Sequence, residues 1–181
     1  MKKLILSILF ILCLSFQASA WNPMVVVSGS GGLGPELHVS ANAASDPNGN
    51  EADATTGWTD EGASAIIASI ADPFVGTYAL EVTAGDTSSE RMELSLTVEN
   101  GASYRVSFNA KRGAQGNQQK VLSWAGVVSS PSDTIDSTSY APFSYDVTTN
   151  ATTIIIRIYA CDNGSIGDSV IADNVSVRKI L

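Results

Sequence analysis

Residues 103–111 read Ser103-Tyr104-Arg105-Val106-Ser107-Phe108-Asn109-Ala110-Lys111, an unbroken alternation. On an extended chain Tyr104, Val106, Phe108 and Ala110 share one side, and Ser103, Arg105, Ser107, Asn109 and Lys111 share the other. That is the pattern of a strand with one buried and one wet face. The same period recurs to both sides, in Arg91 to Val98 (Met92, Leu94, Leu96 and Val98 inward), Ala141 to Thr148 (Phe143, Tyr145 and Val147 inward) and Thr152 to Cys161 (Ile154, Ile156 and Ile158 inward). Further strands are predicted at Leu37 to Asn42, Ala65 to Ala71, Thr77 to Thr83, Lys120 to Val128 and Ser169 to Ile180. Turn-forming joints such as Asp46-Pro47-Asn48-Gly49, Glu99-Asn100-Gly101 and Asp162-Asn163-Gly164 separate them. No stretch carries apolar residues at helical spacing over a useful length. Many short strands at near-regular spacing predict an all-β fold, a two-sheet antiparallel jelly-roll β-sandwich.

The start of the chain reads differently. Met1-Lys2-Lys3 is followed by an apolar run from Leu4 to Phe16 and then by Gln17-Ala18-Ser19-Ala20. A basic start, an apolar stretch too short to span a bilayer and small residues before the break describe a signal peptide over residues 1–20, with cleavage before Trp21. The expected location is therefore extracellular or at the cell surface. Residues 21–36, with Met24-Val25-Val26-Val27 and a Gly/Ser-rich joint, are expected to form an N-terminal strand or flexible segment, and residues 37–181 the folded domain.

Composition narrows the chemistry. Loss of Lys2 and Lys3 with the leader makes the formal net charge of −8 more negative by two, which argues against nucleic acid and anionic lipid as partners. Of the two cysteines, Cys13 leaves with the leader and Cys161 stays behind, so no internal disulfide can form, and Cys161 reads as a structural thiol. His38 is the sole histidine, which removes a His-dependent triad and a multi-His zinc site. No pair of carboxylates and no serine stands in a context that separates an acid, a base and a nucleophile, so the chain reads as a non-enzyme.

In the last strand strict alternation puts Ile171, Asp173, Val175 and Val177 on the inward side. A buried carboxylate needs a cation, hydrogen bonds or a proton. The alternative is a bulge that sets Asp173 at the sheet rim. A second oxygen-rich group lies at Asp46 to Asp53, and the two together suggest a hard cation.

The order of Asn48-Gly49-Asn50-Glu51, Thr56-Gly57-Trp58, Gly76-Thr77-Tyr78-Ala79-Leu80-Glu81-Val82, the 103–111 strand and Ala172-Asp173-Asn174-Val175-Ser176-Val177 resembles the CenC-type carbohydrate-binding modules of the galactose-binding-like jelly-roll superfamily. The resemblance runs from about Leu37 to Leu181. It implies a structural calcium held by Glu51, the Thr77 region and Asp173, with Asp72 as a further ligand. Asn50 stands where the family carries an aromatic residue. The resemblance also implies a carbohydrate partner.

Sugar rings need aromatic faces and planar polar groups. Trp58, Trp124, Tyr140 and Tyr159 are the aromatic candidates, with Trp58 read as core, and Arg105, Asn109, Gln119 and Arg157 are the polar ones. Arg157 and Tyr159 share the face opposite the isoleucine row. They are expected to meet a glycan there, together with Arg105 and Asn109 if those lie in the same sheet. The expected function is a secreted or cell-surface, calcium-stabilised binding module for a polysaccharide or glycoconjugate. The rival is a structural surface or filament subunit that assembles through its N-terminal strand.

Overall fold

A computed structural model describes residues 32–37, 57–62, 66–87, 89–113, 120–122, 124–160 and 164–181. These residues belong to one compact unit, Gly31–Leu181. Residues 1–20, Met24 to Val27, His38, the Asp46 to Asp53 loop with Glu51, Gln119 and Cys161 lie outside the described residues. Among the described residues there is no helix long and apolar enough to cross a membrane.

The strands are β1 (Leu33–Glu36), β2 (Trp58–Glu61), β3 (Ile66–Ile70), β4 (Ala79–Thr83), β5 (Arg91–Thr97), β6 (Ser103–Arg112), β7 (Lys120–Leu122), β8 (Ser132–Thr134), β9 (Ala141–Thr148), β10 (Thr153–Tyr159) and β11 (Ser169–Ile180). They form two antiparallel sheets. One runs β3-β4-β11-β6-β9, with β1 also paired to β11, and the other runs β2-β5-β10-β7-β8. The two-sheet jelly roll expected from the alternation is the fold observed.

The inward rows meet as expected. Tyr104, Val106, Phe108 and Ala110 of β6 pack with Leu80, Val82 and Val177 from their own sheet and with Met92, Leu94, Ile154, Ile156 and Ile158 from the other. Each isoleucine of β10's inward row is fully buried, and burial of one such side chain stabilises by roughly 1.5–3 kcal/mol. Trp58 is core, as read.

Of the two forms expected for residues 21–36, a strand or a flexible segment, residues 33–36 take the strand, with Leu33 paired to Ile180 and Glu36 to Arg178. The Glu36 carboxylate accepts from the Val177 N–H, the Ser176 hydroxyl and the Arg178 guanidinium. The strand expected over Lys120 to Val128 stops at Leu122. The chain then bridges Ala125 to Ile155 of one sheet and Val127 to Thr149 beside the other, changing sheets at Gly126. Gly126 has φ of 76°, and a Cβ there would lie 2.0 Å from the Thr153 carbonyl oxygen, so only glycine fits the corner. A further correction concerns β11, where the pairing with β6 slips between Asp173 and Ser176. Val170 and Ala172 before the slip and Val175 and Val177 after it face the core, whereas Ile171 and Asp173 are absent from the core cluster. Asn174 takes up the extra residue with φ of 53°.

Candidate functional site

The bulge decides what Asp173 does. It lies on the outer side of the six-stranded sheet and is nevertheless fully buried. Its Oδ2 accepts from the N–H groups of Phe74, at 2.7 Å, and Val75, at 2.9 Å, and its Oδ1 accepts from the Asn174 N–H at 2.6 Å. The carboxylate therefore ties the 72–78 loop down onto β11. Asn109, opposite Asp173 in the register, accepts from the Asn174 amide at 3.2 Å. Beside them Lys111 Nζ lies 2.8 Å from Asp72 Oδ2 and 4.5 Å from the Tyr140 ring centroid. The Tyr140 hydroxyl donates to the Asp72 carbonyl at 2.6 Å. Burial and the charges of Asp173 and Asp72 push the Tyr140 pKa well up.

Of the residues implied as calcium ligands, Glu51 lies outside the described residues, and the others are Asp72, Thr77 and Asp173. Asp173 is engaged by three amide donors, Asp72 by an ammonium, and Thr77 is exposed. No group of three metal-binding side chains occurs among the described residues.

The outer face of the five-stranded sheet is a different kind of surface. Pairing brings Glu61 of β2, Arg91 of β5, Tyr159 of β10, Lys120 of β7 and Thr134 of β8 into one row across all five strands. The next row holds Thr59, Glu93 and Arg157. Glu93 Oε1 accepts from Arg91 Nε at 2.7 Å and from Arg157 Nε at 2.6 Å, and the Arg91 guanidinium sits 5.4 Å from the Tyr159 ring centroid. Partial burial works against the Arg91 charge, but the Glu93 hydrogen bond and the nearby Tyr159, Glu93 and Glu61 outweigh it and raise its pKa. Exposed Thr59, Ser95, Thr97 and Thr153 flank this centre. The result is a planar fork of donors on an aromatic ring, set in a surface of small hydroxyl residues.

Of the ligand residues expected from sequence, this face holds Arg157 and Tyr159, and Tyr159 is largely covered, at 7% exposure. Arg105 and Asn109 do not join them, because β6 lies in the other sheet. Arg105 instead forms a two-bond pair with Asp146 of β9. Trp124 is core, its indole N–H donating to the Arg157 carbonyl at 3.3 Å, so it presents no face to a ligand. Arg91 and Glu93 are the members that sequence reading passed over. Both stand on the polar side of their strand, with Glu93 buried, but only the non-local pairing of β5 with β10 reveals their neighbours.

No protein-family model matches the sequence, and no curated protein matches it. Solved structures do share its fold. The CBM22-1 xylan-binding domain of Paenibacillus barcinonensis Xyn10C superposes with a TM-score of 0.54 at 15% identity, over 72% of this chain and 92% of that one. TmCBM61 in complex with β-1,4-galactotriose gives 0.51 at 14% identity, over 70% and 91%. The CBM22-1–GH10 modules of Clostridium thermocellum endo-1,4-β-D-xylanase 10B, complexed with xylohexaose, give 0.58 at 13% identity, over 81% of this chain and 28% of that one. In architecture, then, the chain is a two-sheet jelly-roll β-sandwich, a fold it shares with these carbohydrate-binding modules.

Proposed function

We propose that this protein is an exported, non-catalytic carbohydrate-binding module, and that an extended polysaccharide lies across the outer face of its five-stranded sheet. The observation that carries the reading is the Arg91–Glu93–Arg157–Tyr159 centre in the middle of that face. Guanidinium N–H groups and a carboxylate supply directed donors and acceptors for ring hydroxyls. The ring edge and the Ile155 side chain supply apolar contact, and the flanking Ser/Thr residues leave room for a chain to run past. Both guanidiniums hold the carboxylate through one oxygen, an arrangement suited to presenting a rigid polar surface. The shared fold supports the same reading, since it is used by a xylan-binding domain and by a module bound to galactotriose. Export rests on the sequence of residues 1–20. Mass spectrometry of exported protein should find a chain that begins at Trp21, and retained Met1 would remove that part of the proposal.

Affinity electrophoresis of the mature protein in gels containing xylan, β-1,4-galactan, arabinan or mixed-linkage glucan tests the binding. Retardation by at least one polysaccharide is expected. Arg157→Gln should lower the affinity about tenfold or more, as expected for loss of a charged hydrogen bond to a bound ligand. It should leave the fold intact, because Arg91 still partners Glu93. Unaltered mobility of the wild-type protein in every gel would overturn the reading.

A further inference from the structure

At the open side of the sandwich, where the chain changes sheets, lies a cavity of about 320 Å³ that none of the roles above uses. Past the Gly126 corner the Val128 N–H still donates to the Thr148 carbonyl at 2.8 Å. The chain then leaves β9 through Ser129, Ser130 and Pro131 to enter β8 in the other sheet. The cavity lies between that departing segment and residues Ser144 to Val147 of β9.

Its chemistry is specific. Pro131, Val147 and the half-buried Tyr145 give it apolar contact surface. The Tyr145 ring is held edge-on to Trp124, with centroids 5.2 Å apart and planes at 84°, and its hydroxyl reaches Asp133 at 3.4 Å. Around this surface stand the hydroxyls of Ser129, Ser130 and Ser144 and the carboxylate of Asp146. The Asp146 carboxylate is oriented by Arg105, whose Nε and Nη2 donate to its two oxygens at 2.7 Å each. A carboxylate offers about four acceptor positions, so two remain for a ligand. The Ser130 hydroxyl already donates to the Trp124 carbonyl at 2.9 Å, which leaves its oxygen as an acceptor.

We propose that this cavity is a second binding site, which takes one terminal ring, or at most two, of a neutral saccharide. An acceptor-rich rim over an apolar floor suits a ligand with many O–H donors and a C–H face. The volume lies at the low end of small-molecule sites, too small for an extended chain. The carboxylates of Asp146 and Asp133, on a chain of net charge −8, disfavour an anionic ligand. The proposal rests on the reading of the chain as a carbohydrate binder, but not on the sheet-face site.

The test is a chemical-shift titration of the full mature protein with D-galactose, D-glucose, D-xylose and L-arabinose and their disaccharides. At least one sugar should shift residues 129–131 and 144–147 saturably, with the roughly millimolar affinity expected of a single ring. Asp146→Ala and Ser144→Leu, both at exposed positions, should weaken that response at least tenfold with the melting temperature held, while Arg157→Gln leaves it unchanged. Shifts confined to β5 and β10 would overturn the second site and leave the sheet-face reading standing. Shifts at the cavity with none on β5 or β10 would uphold this site, and if Arg157→Gln then leaves gel retardation unchanged, the sheet-face site is removed. No response anywhere would overturn the second site, while retardation in the polysaccharide gels would still uphold the sheet-face reading.

Discussion

Asp173, expected from sequence as a calcium ligand, holds main-chain donors in the fold. Its negative charge is met by three main-chain N–H groups, a set that stabilises a carboxylate strongly. Asp173→Asn should therefore lower the melting temperature by several degrees, on the order of the 1–3 kcal/mol tied to a buried hydrogen-bonded charge, and by the same amount in EDTA as in calcium. A loss confined to calcium-loaded protein would make Asp173 a ligand instead. Strict alternation marked the residue as unusual and faced it inward, whereas the bulge weighed as the alternative is what the strand carries, and it turns Asp173 to the outer side. Tyr140 and Tyr145 offer a second residue-scale measurement. Burial first, then Asp173 and Asp72 in one case and Asp133 in the other, raise both pKa values above the ordinary 10.0. A raised folded-state pKa favours the protonated fold, so this contribution is intact below the unfolded pKa and fades as pH climbs past it. Phenolate absorbance from these two rings should thus appear together with alkaline unfolding, and a separate earlier step would contradict their burial.

At the scale of elements, the strands with a full inward row were legible. The bounds expected for Ala141 to Thr148 and Ser169 to Ile180 coincide with β9 and β11. The strands missed were β2 and β8. Each lies at an edge of its sheet, and all of β8 and all of β2 but Trp58 is exposed, so no apolar alternation was available to mark them. The corner at Gly126 was read through as continuous strand because Val121, Trp124 and Val127 are all core residues. Replacement tests that corner. Gly126→Ala combines a strained φ with an overlap against backbone, and it should shift the urea midpoint by an amount worth about 2 kcal/mol or more. A midpoint change within error would mean the segment can relax without cost.

For the whole molecule, the layering was readable from sequence and the order of strands within each layer was not. That order separates Arg105 from Arg157 and joins Arg157 to Arg91 and Glu93. Arg105, Asn109 and Trp124 of the expected ligand set therefore fall away from this face, while the face chosen for Arg157 and Tyr159 acquired neighbours that no local pattern could supply. The pairing of β1 with β11 has a mechanical meaning as well. Leu33 stands opposite Ile180, so the entry and exit of the folded unit leave from the same end of two adjacent antiparallel strands. A load pulling those ends apart would open this ladder one bond at a time, like a zip, at far lower force than sliding the strands lengthwise past one another. The opening would run from Leu33 toward Glu36, where the carboxylate's grip on Val177, Ser176 and Arg178 forms the first catch. Tension through both flanks would thus free the first strand while the two-sheet core and its outer face keep their shape.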